Sequence, residues 1–284
     1  MKLSIGTAQF GLNYGICNKD GIVSIKEVNK ILNFCKLRKI NSIDTAEGYG
    51  KSHKILGKFD IKKFNITSKI SSFKKKKIKN LENFISLKID KILNELNSKK
   101  IYALLIHNAS DLRGKFGKNL FEVLQKLKKK KKFVKLGVSV YKKNELDFII
   151  KNYNIDIVNL PLSIANQEFY QKNYLSKIKK KKIEVHIRSI FLQGLLLSSF
   201  DGLPKKFKNN KFFSEWFEWL KMNKCNPLDA SIGFVRNIKG IDKIIVGVDN
   251  FYQLKMIEKA YKKNVKLNFN NFYQSSILRK PSKW

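Results

Sequence analysis

Four residues with ionisable side chains stand at or just beyond the ends of three consecutive apolar segments of this 284-residue chain. Asp44 ends the first segment, Tyr49 lies in the glycine-flanked loop beyond it, Lys69 ends the second segment and His107 ends the third. If these segments are parallel strands of one barrel, their carboxyl ends meet at the mouth where barrel enzymes build active sites. Side chains of these types donate, accept and stabilise protons, so their convergence indicates acid–base catalysis.

Each of the four residues also has a structural explanation when it is considered alone. A tyrosine in a loop beside glycines commonly anchors a turn, and a lysine at a strand end commonly reaches solvent. A histidine in an apolar strand is more often a hydrogen-bonded core residue than a catalyst. Only their joint placement on neighbouring strand ends favours the catalytic interpretation.

Short runs rich in Ile, Val and Leu alternate with amphipathic or lysine-rich runs along the chain. The short runs predict strands at Leu3–Gly6, Ser42–Asp44, Asn65–Lys69, Ile101–His107, Lys135–Ser139, Ile155–Leu160, Ile183–Arg188 and Lys243–Val246. The longer runs predict helices from Ser24 onward and at Ile78–Leu96, Leu120–Lys131, Lys143–Lys151, Tyr174–Lys181, Ser214–Asn223, Leu228–Arg236 and Tyr252–Tyr261. The spacing of Ser24 and Glu27 predicts a capping box at the start of the first of these helices.

Eight strands that are each followed by a helix predict an α/β fold, the (β/α)₈ or TIM barrel. We expect a single domain over residues 1–284, with residues 262–284 as a C-terminal tail. The alternative is an open doubly wound sheet, which usually carries a GxGxxG turn after a strand. The sequence contains neither that turn nor a GxxxxGK[ST] motif, so the barrel is favoured.

The chain carries 59 Lys and Arg against 22 Asp and Glu, a formal net charge of +37. Only five of these bases are arginine, the side chain that reads phosphate and guanine bidentately. We interpret the excess as solvated lysines, and we place the runs Lys74–Lys77, Lys128–Lys132 and Lys179–Lys182 in loops or at helix ends. Weak, salt-sensitive binding to nucleic acid is expected, with no specific nucleic-acid partner.

The three cysteines, Cys17, Cys35 and Cys225, are scattered and form no CxxC pair, which fits a reducing compartment. The beginning of the sequence lacks the pattern of a signal peptide. No apolar run approaches the ~18 residues that span a bilayer. We therefore expect a cytoplasmic protein with no membrane partner and no metal.

Several motifs together resemble the aldo/keto reductase family over nearly the whole chain. The segments that carry the resemblance are Gly6–Gly11, Asp44–Ser52, Ser68–Lys69, Ile106–His107, Gly137–Ser139, Arg188–Leu196 and Val246–Leu254. The resemblance implies reduction of an aldehyde or ketone to an alcohol with NADP(H), with NAD(H) as the alternative cofactor. Hydride passes to the carbonyl carbon from the nicotinamide, and the carbonyl oxygen takes a proton.

The resemblance also implies a role for each residue of the catalytic set. Tyr49 is the proton donor, and a nearby Lys69 cation is expected to bring its pKa down from about 10. Asp44 is expected to pair with Lys69 and to offset the cost of burying its charge. His107 is expected to hydrogen-bond the carbonyl oxygen and orient it.

Cofactor contacts are implied at Gly6, Thr7, Ala8, Asp44, Ser139, Asn159, Arg188, Ser189, Phe191, Gln193, Gly194, Val246, Gly247, Val248 and Gln253. Arg188 stands where the family often places an aromatic ring against the nicotinamide, and Asn159 stands where it often has Gln. The stretch 248–253 contains Asp249 and no base that could meet an adenosine 2′-phosphate. A smaller NADPH preference than is usual in the family is therefore expected. His53 is assigned no role.

Substrate choice is expected to depend on the loops after the fourth and seventh strands and on the tail, which are Asn108–Gly117, Ser189–Phe213 and Val265–Trp284. They contain the aromatic residues Phe116, Phe191, Phe200, Phe207, Phe269, Phe272, Tyr273 and Trp284. The resemblance to bacterial members linked with surface sugars implies a small-molecule, sugar-derived carbonyl. The alternative function is a nicotinamide-binding barrel that serves as a slow-turnover sensor or an interaction subunit.

Overall fold

The computed structural model describes residues 1–72, 78–170, 174–263, 265, 267, 269, 272 and 275–279. In this part of the chain eight parallel strands close into a barrel in sequential order. They are β1 (Leu3–Gly6), β2 (Ser42–Asp44), β3 (Asn65–Ile70), β4 (Ile101–Ile106), β5 (Phe133–Ser139), β6 (Ile157–Pro161), β7 (Glu184–Arg188) and β8 (Lys243–Gly247). The predicted barrel is confirmed, and the open sheet is excluded because β1 pairs with both β2 and β8.

Helices lie between the strands and cover the outside of the barrel. They are α1 (Ala8–Gly11), α2 (Ile25–Leu37), α3 (Ser52–Leu56), α4 (Leu81–Glu95), α5 (Gly114–Lys129), α6 (Lys143–Asn152), α7 (Tyr174–Lys180), α8 (Lys205–Lys208), α9 (Lys211–Met222), α10 (Pro227–Arg236) and α11 (Phe251–Lys263). Two 3₁₀ turns, Ala109–Leu112 and Leu192–Leu197, belong to the loops after β4 and β7. Each helix predicted from the sequence is present, whereas α1, α3 and α8 are too short to show a periodic pattern.

The largest error in a predicted boundary falls on α5, which begins at Gly114 rather than Leu120. Glycine is a poor helix former, so Gly114 and Gly117 make the first turn look like a loop. Gly117 is required there because a Cβ at this position would lie 2.2 Å from the Leu112 carbonyl carbon. Close packing against the preceding 3₁₀ turn therefore outweighs helix propensity.

Several strand ends also differ from the sequence prediction by one or two residues. β4 ends at Ile106, so His107 lies just outside the strand, although its amide still bonds the Ile70 carbonyl at 3.1 Å. β6 begins at Ile157 rather than Ile155. The Asp156 side chain accepts a hydrogen bond from the Leu136 amide of β5 at 2.7 Å, directly before the first residue of β6.

The capping box predicted at the start of α2 forms only in part. The Ser24 hydroxyl accepts the Glu27 amide at 3.3 Å, as predicted. The Glu27 carboxylate does not turn back to Ser24; it accepts the Phe251 amide at 2.8 Å and pairs with Lys30 at 2.7 Å. A tertiary contact with the start of α11 thus replaces the local one.

The apolar side chains pack mainly between the strands and the helices, in one large cluster. The lumen of the barrel contains more polar side chains than this layer between strands and helices. The Ser4 and Ser42 hydroxyls lie 2.9 Å apart, and Asn159 on β6 donates across the lumen to Asp44 on β2 at 3.1 Å. Charged side chains can therefore be fully enclosed at the mouth because polar neighbours from several strands surround them.

The lysine runs Lys128–Lys132 and Lys179–Lys182 stand at the ends of α5 and α7, as predicted, whereas Lys74–Lys77 lie outside the described residues. Most of the predicted C-terminal tail also lies outside them, including Tyr273 and Trp284. Within the described ranges, no helix is long and apolar enough to cross a membrane. The same ranges hold no group of three or more His, Cys, Asp or Glu placed to bind a metal ion.

Candidate active site

A buried ion pair forms the base of the site at the mouth of the barrel. Lys69 Nζ lies 2.5 Å from Asp44 Oδ1 and 3.0 Å from the Thr45 carbonyl oxygen. The other Asp44 oxygen accepts the Asn159 amide. Lys69 is 1% exposed and Asp44 is 3% exposed, so each charge depends on the other for compensation. The structure brings these two residues together as the sequence predicts.

Tyr49 and His107 lie above this pair. Their rings meet edge to face, with centroids 6.1 Å apart, and Lys69 Nζ lies 5.1 Å from the centre of the Tyr49 ring. The Tyr49 hydroxyl has no hydrogen-bond partner among the described residues, whereas the Lys69 ammonium has two. All four predicted catalytic residues thus lie in one cluster in which the phenol is left to bond a ligand.

The pKa values of the cluster keep the proton on the phenol and off the imidazole. Burial, and then the Asp44 carboxylate, raise the pKa of Tyr49 above its usual value of about 10. Burial lowers the pKa of His107 to about 4, with Lys69 and Arg188 acting in the same direction. Burial also lowers the pKa of Lys69, against the opposing effect of Asp44. At neutral pH the cluster therefore offers a protonated phenol and a neutral imidazole.

The charge that lowers the pKa of Tyr49 differs from the one expected from the sequence. The prediction assigned this effect to Lys69, yet the cation that acts on Tyr49 is Arg188, and its effect is smaller than those of burial and Asp44. Lys69 is paired with Asp44 at 2.5 Å, and the Asp44 carboxylate raises the pKa of Tyr49. Lys69 still acts on His107, whose pKa it lowers together with Arg188.

The loop that carries Tyr49 is fixed by a close approach of two backbones. Gly50 has a φ of +56°, and a Cβ on it would lie 2.3 Å from the Gly11 carbonyl oxygen. A Cβ on Gly11 would in turn lie 2.0 Å from the carbonyl oxygen of Tyr49. Both positions need glycine, so the start of α3 packs directly on α1 and sets where the phenol points.

Hydroxyl groups that the sequence did not single out support the same loop. Ser52 donates to Thr7 at 2.8 Å and lies 3.2 Å from the Thr45 hydroxyl. Thr7 donates to the Asp44 carbonyl oxygen at 3.2 Å. Thr7 was predicted as a cofactor contact; in the structure it is fully buried beneath the loop. The signal for Ser52 was its place in the Asp44–Ser52 motif.

His53, to which the sequence assigned no role, is a buried structural residue. Its Nε2 lies 2.9 Å from the Ser68 hydroxyl, and its Nδ1 lies 3.6 Å from Glu95. Burial lowers the pKa of His53 to about 4, so the ring is neutral at physiological pH. Because Ser68 precedes Lys69, the contact helps to fix the strand end that positions the lysine.

The residues predicted to touch the cofactor fall into three groups around the mouth. The first group lies at the ends of β1, β5 and β6 and consists of Gly6, Ala8, Ser139 and Asn159. Gly6 pairs with Asp44 on β2 and Gly247 on β8. Asn159 is fully buried, with its amide nitrogen bound to Asp44 and its amide oxygen without a partner among the described residues. In this structure Asn159 holds the catalytic carboxylate from below.

The second group is the loop after β7, whose backbone is unusually shaped. Ser189, Gln193 and Gly194 have φ values of +62°, +56° and +94°. The amides of residues 189–191 donate to no described acceptor. Successive backbone N–H groups in such a turn make a concave anion site, which suits the phosphates of a dinucleotide. Phe191 in this turn is buried, with 8% of its surface exposed.

The same loop is tied to the loop after β1. Gln193 accepts the Ile16 amide through its side chain at 3.1 Å and the Cys17 amide through its carbonyl oxygen at 3.3 Å. A Cβ on Gly194 would lie 2.7 Å from Cys17 Cβ. Gln193 therefore joins two loops that border the mouth, and Gly194 is needed for the close contact between them.

The third group follows β8 and contains Val246, Gly247, Val248 and Gln253. Gly247 lies against Gln9, since a Cβ here would be 2.7 Å from the Gln9 amide group. The Gln253 side chain accepts the Asp249 amide at 2.8 Å and donates to the Asp249 carboxylate at 3.2 Å. Val246 and Val248 are buried. The segment contains an acid where the family often has bases, and burial raises the pKa of that Asp249 carboxyl.

Two tyrosines that the sequence did not single out border the site beside Arg188. The Arg188 guanidinium carbon lies 4.2 Å from the ring centroid of Tyr141. Tyr14 lies close enough to Tyr49 and Arg188 for both to affect its pKa. Burial raises the pKa of Tyr14 to about 12. Each tyrosine follows a strand end in a loop, and that position was the available signal.

A closed parallel barrel with this acid–base cluster at the carboxyl ends of its strands is a TIM-barrel enzyme site. A model of the aldo/keto reductase family matches residues 2–271, so the chain belongs to that family. Membership supports an NAD(P)H-dependent oxidoreductase that reduces carbonyl groups. Comparison with curated proteins gives no match.

Solved structures of two reductases share the fold. A putative aldo-keto reductase from Pseudomonas aeruginosa is 18% identical, with 93% of this chain and 91% of that chain covered and a TM-score of 0.68. The aldo-keto reductase AKR11C1 from Bacillus halodurans, in its holo form, is 16% identical, with 99% and 91% covered and a TM-score of 0.72. At these identities the likeness concerns the fold alone.

Proposed function

We propose that this protein reduces an aldehyde or ketone to an alcohol, with Tyr49 as the proton donor. The observation that carries the proposal is the Tyr49 hydroxyl, which has no partner among the described residues and stands over a buried Lys69–Asp44 pair. A phenol that is protonated, rigidly held and directed at the mouth is suited to general acid catalysis.

The reaction consumes one hydride and one proton for each carbonyl group. The nicotinamide, when bound at the mouth, supplies the hydride to the carbonyl carbon. Tyr49 donates its phenolic proton to the carbonyl oxygen, and the resulting phenolate is stabilised by the positive charge of Arg188. The phenol is then restored by a proton from solvent. His107, which is neutral, donates a hydrogen bond to the carbonyl oxygen and orients it.

His107 and the ion pair contribute in different ways. Lys69 and Asp44 are enclosed and hold one another, so they set the electrostatic surroundings of the phenol without contacting a substrate. His107 stands at the surface of the cluster and fixes the angle of the carbonyl. We therefore expect His107→Ala to slow the reduction of bulky ketones more than that of small aldehydes, because orientation limits the larger substrates.

We further propose that the cofactor is a reduced nicotinamide dinucleotide, with a smaller preference for NADPH than is usual in the family. Support comes from the turn at 189–191, which suits phosphate, and from Asp249, which opposes a 2′-phosphate in the segment after β8. The net charge of +37 works in the other direction by attracting any phosphate. The three free cysteines are consistent with work in the cytoplasm.

Two measurements test this function. Titration with NADH and with NADPH, followed by protein fluorescence, should show binding of both with a ratio of Kd values well below a thousand. A panel of aldehydes, ketones and sugars should include substrates that consume the reduced cofactor, and a sugar-derived carbonyl is our expectation among them. Absence of binding by either dinucleotide would remove the proposal, and binding without turnover on the panel would favour a sensor.

A further inference from the structure

One positive charge at the mouth, that of Arg188, has no counter-charge among the described residues. Two acids act on the catalytic groups, Asp44 and Glu47, and each is already paired: Asp44 with Lys69 and Glu47 with Lys88. Arg188 forms no ion pair with any described residue; it donates to the Val140 carbonyl oxygen at 3.1 Å and to the Ser189 hydroxyl at 3.4 Å. A partly buried cation without a carboxylate partner is costly, and a bound anion would offset that cost.

The Arg188 side chain is also held in one orientation. Its guanidinium plane rests on the Tyr141 ring at 4.2 Å, and one terminal nitrogen is fixed by Val140. Arginine has five N–H donors, and the two described bonds use two of them, so three are left. A planar, preorganised fork of donors matches a carboxylate or a phosphate.

The position of this charge relates it to the reacting atoms. Arg188 acts electrostatically on Tyr49, His107, Lys69 and Tyr14, which together surround the place where a carbonyl group must lie. Arg188 ends β7 at the same mouth, so a molecule that reaches the phenol can also place an anionic group on the guanidinium. The phosphates of the cofactor have a separate candidate site in the backbone amides of residues 189–191.

We propose that the physiological substrate is a carbonyl compound with an anionic group, a carboxylate or a phosphate, which Arg188 binds while Tyr49 protonates the carbonyl oxygen. Tyr141 positions the guanidinium from below, and Tyr14 borders the same space with a neutral phenol. This proposal rests on the proposed carbonyl reduction and adds the substrate class. It makes Arg188 a specificity-determining residue.

The first test compares pairs of related aldehydes in which one member carries an anionic group and the other is neutral. The pairs are 4-carboxybenzaldehyde with 4-formylbenzamide, and glyceraldehyde 3-phosphate with glyceraldehyde. For the wild-type protein we expect kcat/KM to be at least tenfold higher for an anionic member than for its neutral partner, because a charged hydrogen-bonded pair gives about a 10- to 100-fold gain. Equal values in both pairs, with measurable reduction, would overturn the proposal and leave carbonyl reduction intact.

The second test uses Arg188→Gln, with Arg38→Gln as the matched control. Arg38 also stacks on an aromatic ring, that of Phe34 at 5.4 Å, but it lies at the end of α2, on the far side of the barrel from the mouth. We expect Arg188→Gln to reduce the anionic-to-neutral ratio of kcat/KM at least tenfold, and Arg38→Gln to preserve that ratio. An unchanged ratio in Arg188→Gln would contradict the proposal.

The third test separates the substrate from the cofactor as the source of the anion, and it needs no turnover. Binding of benzoate and of benzamide to the protein with oxidised cofactor is measured by calorimetry, as is binding of the cofactor alone. We expect Arg188→Gln to weaken benzoate tenfold or more relative to benzamide, with a much smaller change in cofactor Kd. If Arg188→Gln weakens only cofactor binding and leaves benzoate binding unchanged, the guanidinium binds the dinucleotide phosphates and the proposal is wrong.

Discussion

The two ends of the barrel contain the same four types of side chain. At the mouth stand Asp44, Lys69, Tyr49 and His107. At the opposite end, on the amino-terminal parts of β4, β5 and β7, stands a second set, here called the floor cluster: Glu184, Lys135, Tyr102 and His186. The lysine nitrogen lies 5.1 Å from the centre of the tyrosine ring in both sets.

The two sets differ in which side chains are hydrogen-bonded to the carboxylate. In the floor cluster Glu184 accepts the Tyr102 hydroxyl at 2.6 Å, lies 2.6 Å from His186 Nε2 and pairs with Lys135. Its tyrosine, lysine and histidine thus all bond one carboxylate. At the mouth the carboxylate binds the lysine and an asparagine, and the phenol stays out of the network. The Tyr49 hydroxyl can therefore hydrogen-bond a substrate, whereas the Tyr102 hydroxyl is already bonded to Glu184.

The effect of burial on the pKa values also differs between the two sets. Burial alone would raise the pKa of Glu184, but hydrogen bonds from His186, Lys135 and Tyr102 outweigh it and hold that pKa well below its usual range. Burial would lower the pKa of Lys135, but Glu184 and Tyr102 together outweigh it and raise that pKa, whereas burial lowers the pKa of Lys69. In the floor cluster, hydrogen bonds therefore stabilise the charged side chains, whereas at the mouth burial disfavours the charged form of Lys69.

The largest expected difference is between the two tyrosines. Tyr49→Phe should reduce kcat by about 10²–10⁴, because the proton donor is lost while the ring is kept. Tyr102→Phe, its matched control, should keep kcat within about threefold of wild type, since general acid catalysis does not involve it. Steady-state kinetics on one good substrate, with circular dichroism to check folding, gives the answer. Near-normal turnover by Tyr49→Phe would end the proposed mechanism.

The two lysines should differ in stability. Lys69→Met leaves the Asp44 carboxylate buried without its cation, which costs about 3–5 kcal/mol of unfolding free energy and abolishes activity. Lys135→Met should cost only about 1–2 kcal/mol, because Glu184 keeps two other donors. Urea unfolding of both variants measures the contrast. If the two losses are equal, burial at the mouth matters less than we infer; the double variant Asp44→Asn/Lys69→Met should recover part of the loss.

Glu184→Gln probes the floor cluster itself. The substitution removes the shared charge that three side chains bond, so we expect a loss of about 1.5–3 kcal/mol in unfolding free energy. The kcat/KM of the folded variant should stay within about threefold of wild type, because the described side-chain bonds of Glu184 go to Tyr102, Lys135 and His186 and to none of the four catalytic residues. Denaturant unfolding and kinetics under the same conditions provide the measurement. A large loss of activity without a loss of stability would show that the two ends communicate.

A dependence of stability on pH should also arise at the mouth end. His53 and His107 have folded pKa values of about 4, below the value of about 6.5 for an unfolded histidine. Between these values the unfolded state binds more protons, so stability should fall as pH decreases from about 6.5 to 4. The upper limit is about 1.4 kcal/mol per pH unit for each histidine.

The matched variant for this effect is His53→Gln, which lacks one of the two groups. Its unfolding free energy, measured by urea titration at several pH values, should depend less steeply on pH over the same window. Identical slopes for the variant and the wild type would mean that His53 is not held neutral by burial.

Much of the barrel and the catalytic set could be predicted from the order of residues alone. Strand–helix alternation is local, and β1 and β2 were predicted with their observed bounds because their apolar runs end at Gly6 and Asp44. In a parallel barrel all strand carboxyl ends share one mouth, so the predicted positions of Asp44, Lys69 and His107 placed them together.

Only the tertiary structure decided how the charges are shared. Lys69 and Asp44 approach one another to 2.5 Å across two strands, and sequence spacing carries no such information. The uncompensated charge of Arg188 and the likeness of the floor cluster to the mouth also depend on which loops and strands meet in space. Electrostatic interactions change steeply with separation and burial, so residue types determine the chemistry that is available, and their packing decides which of them performs it.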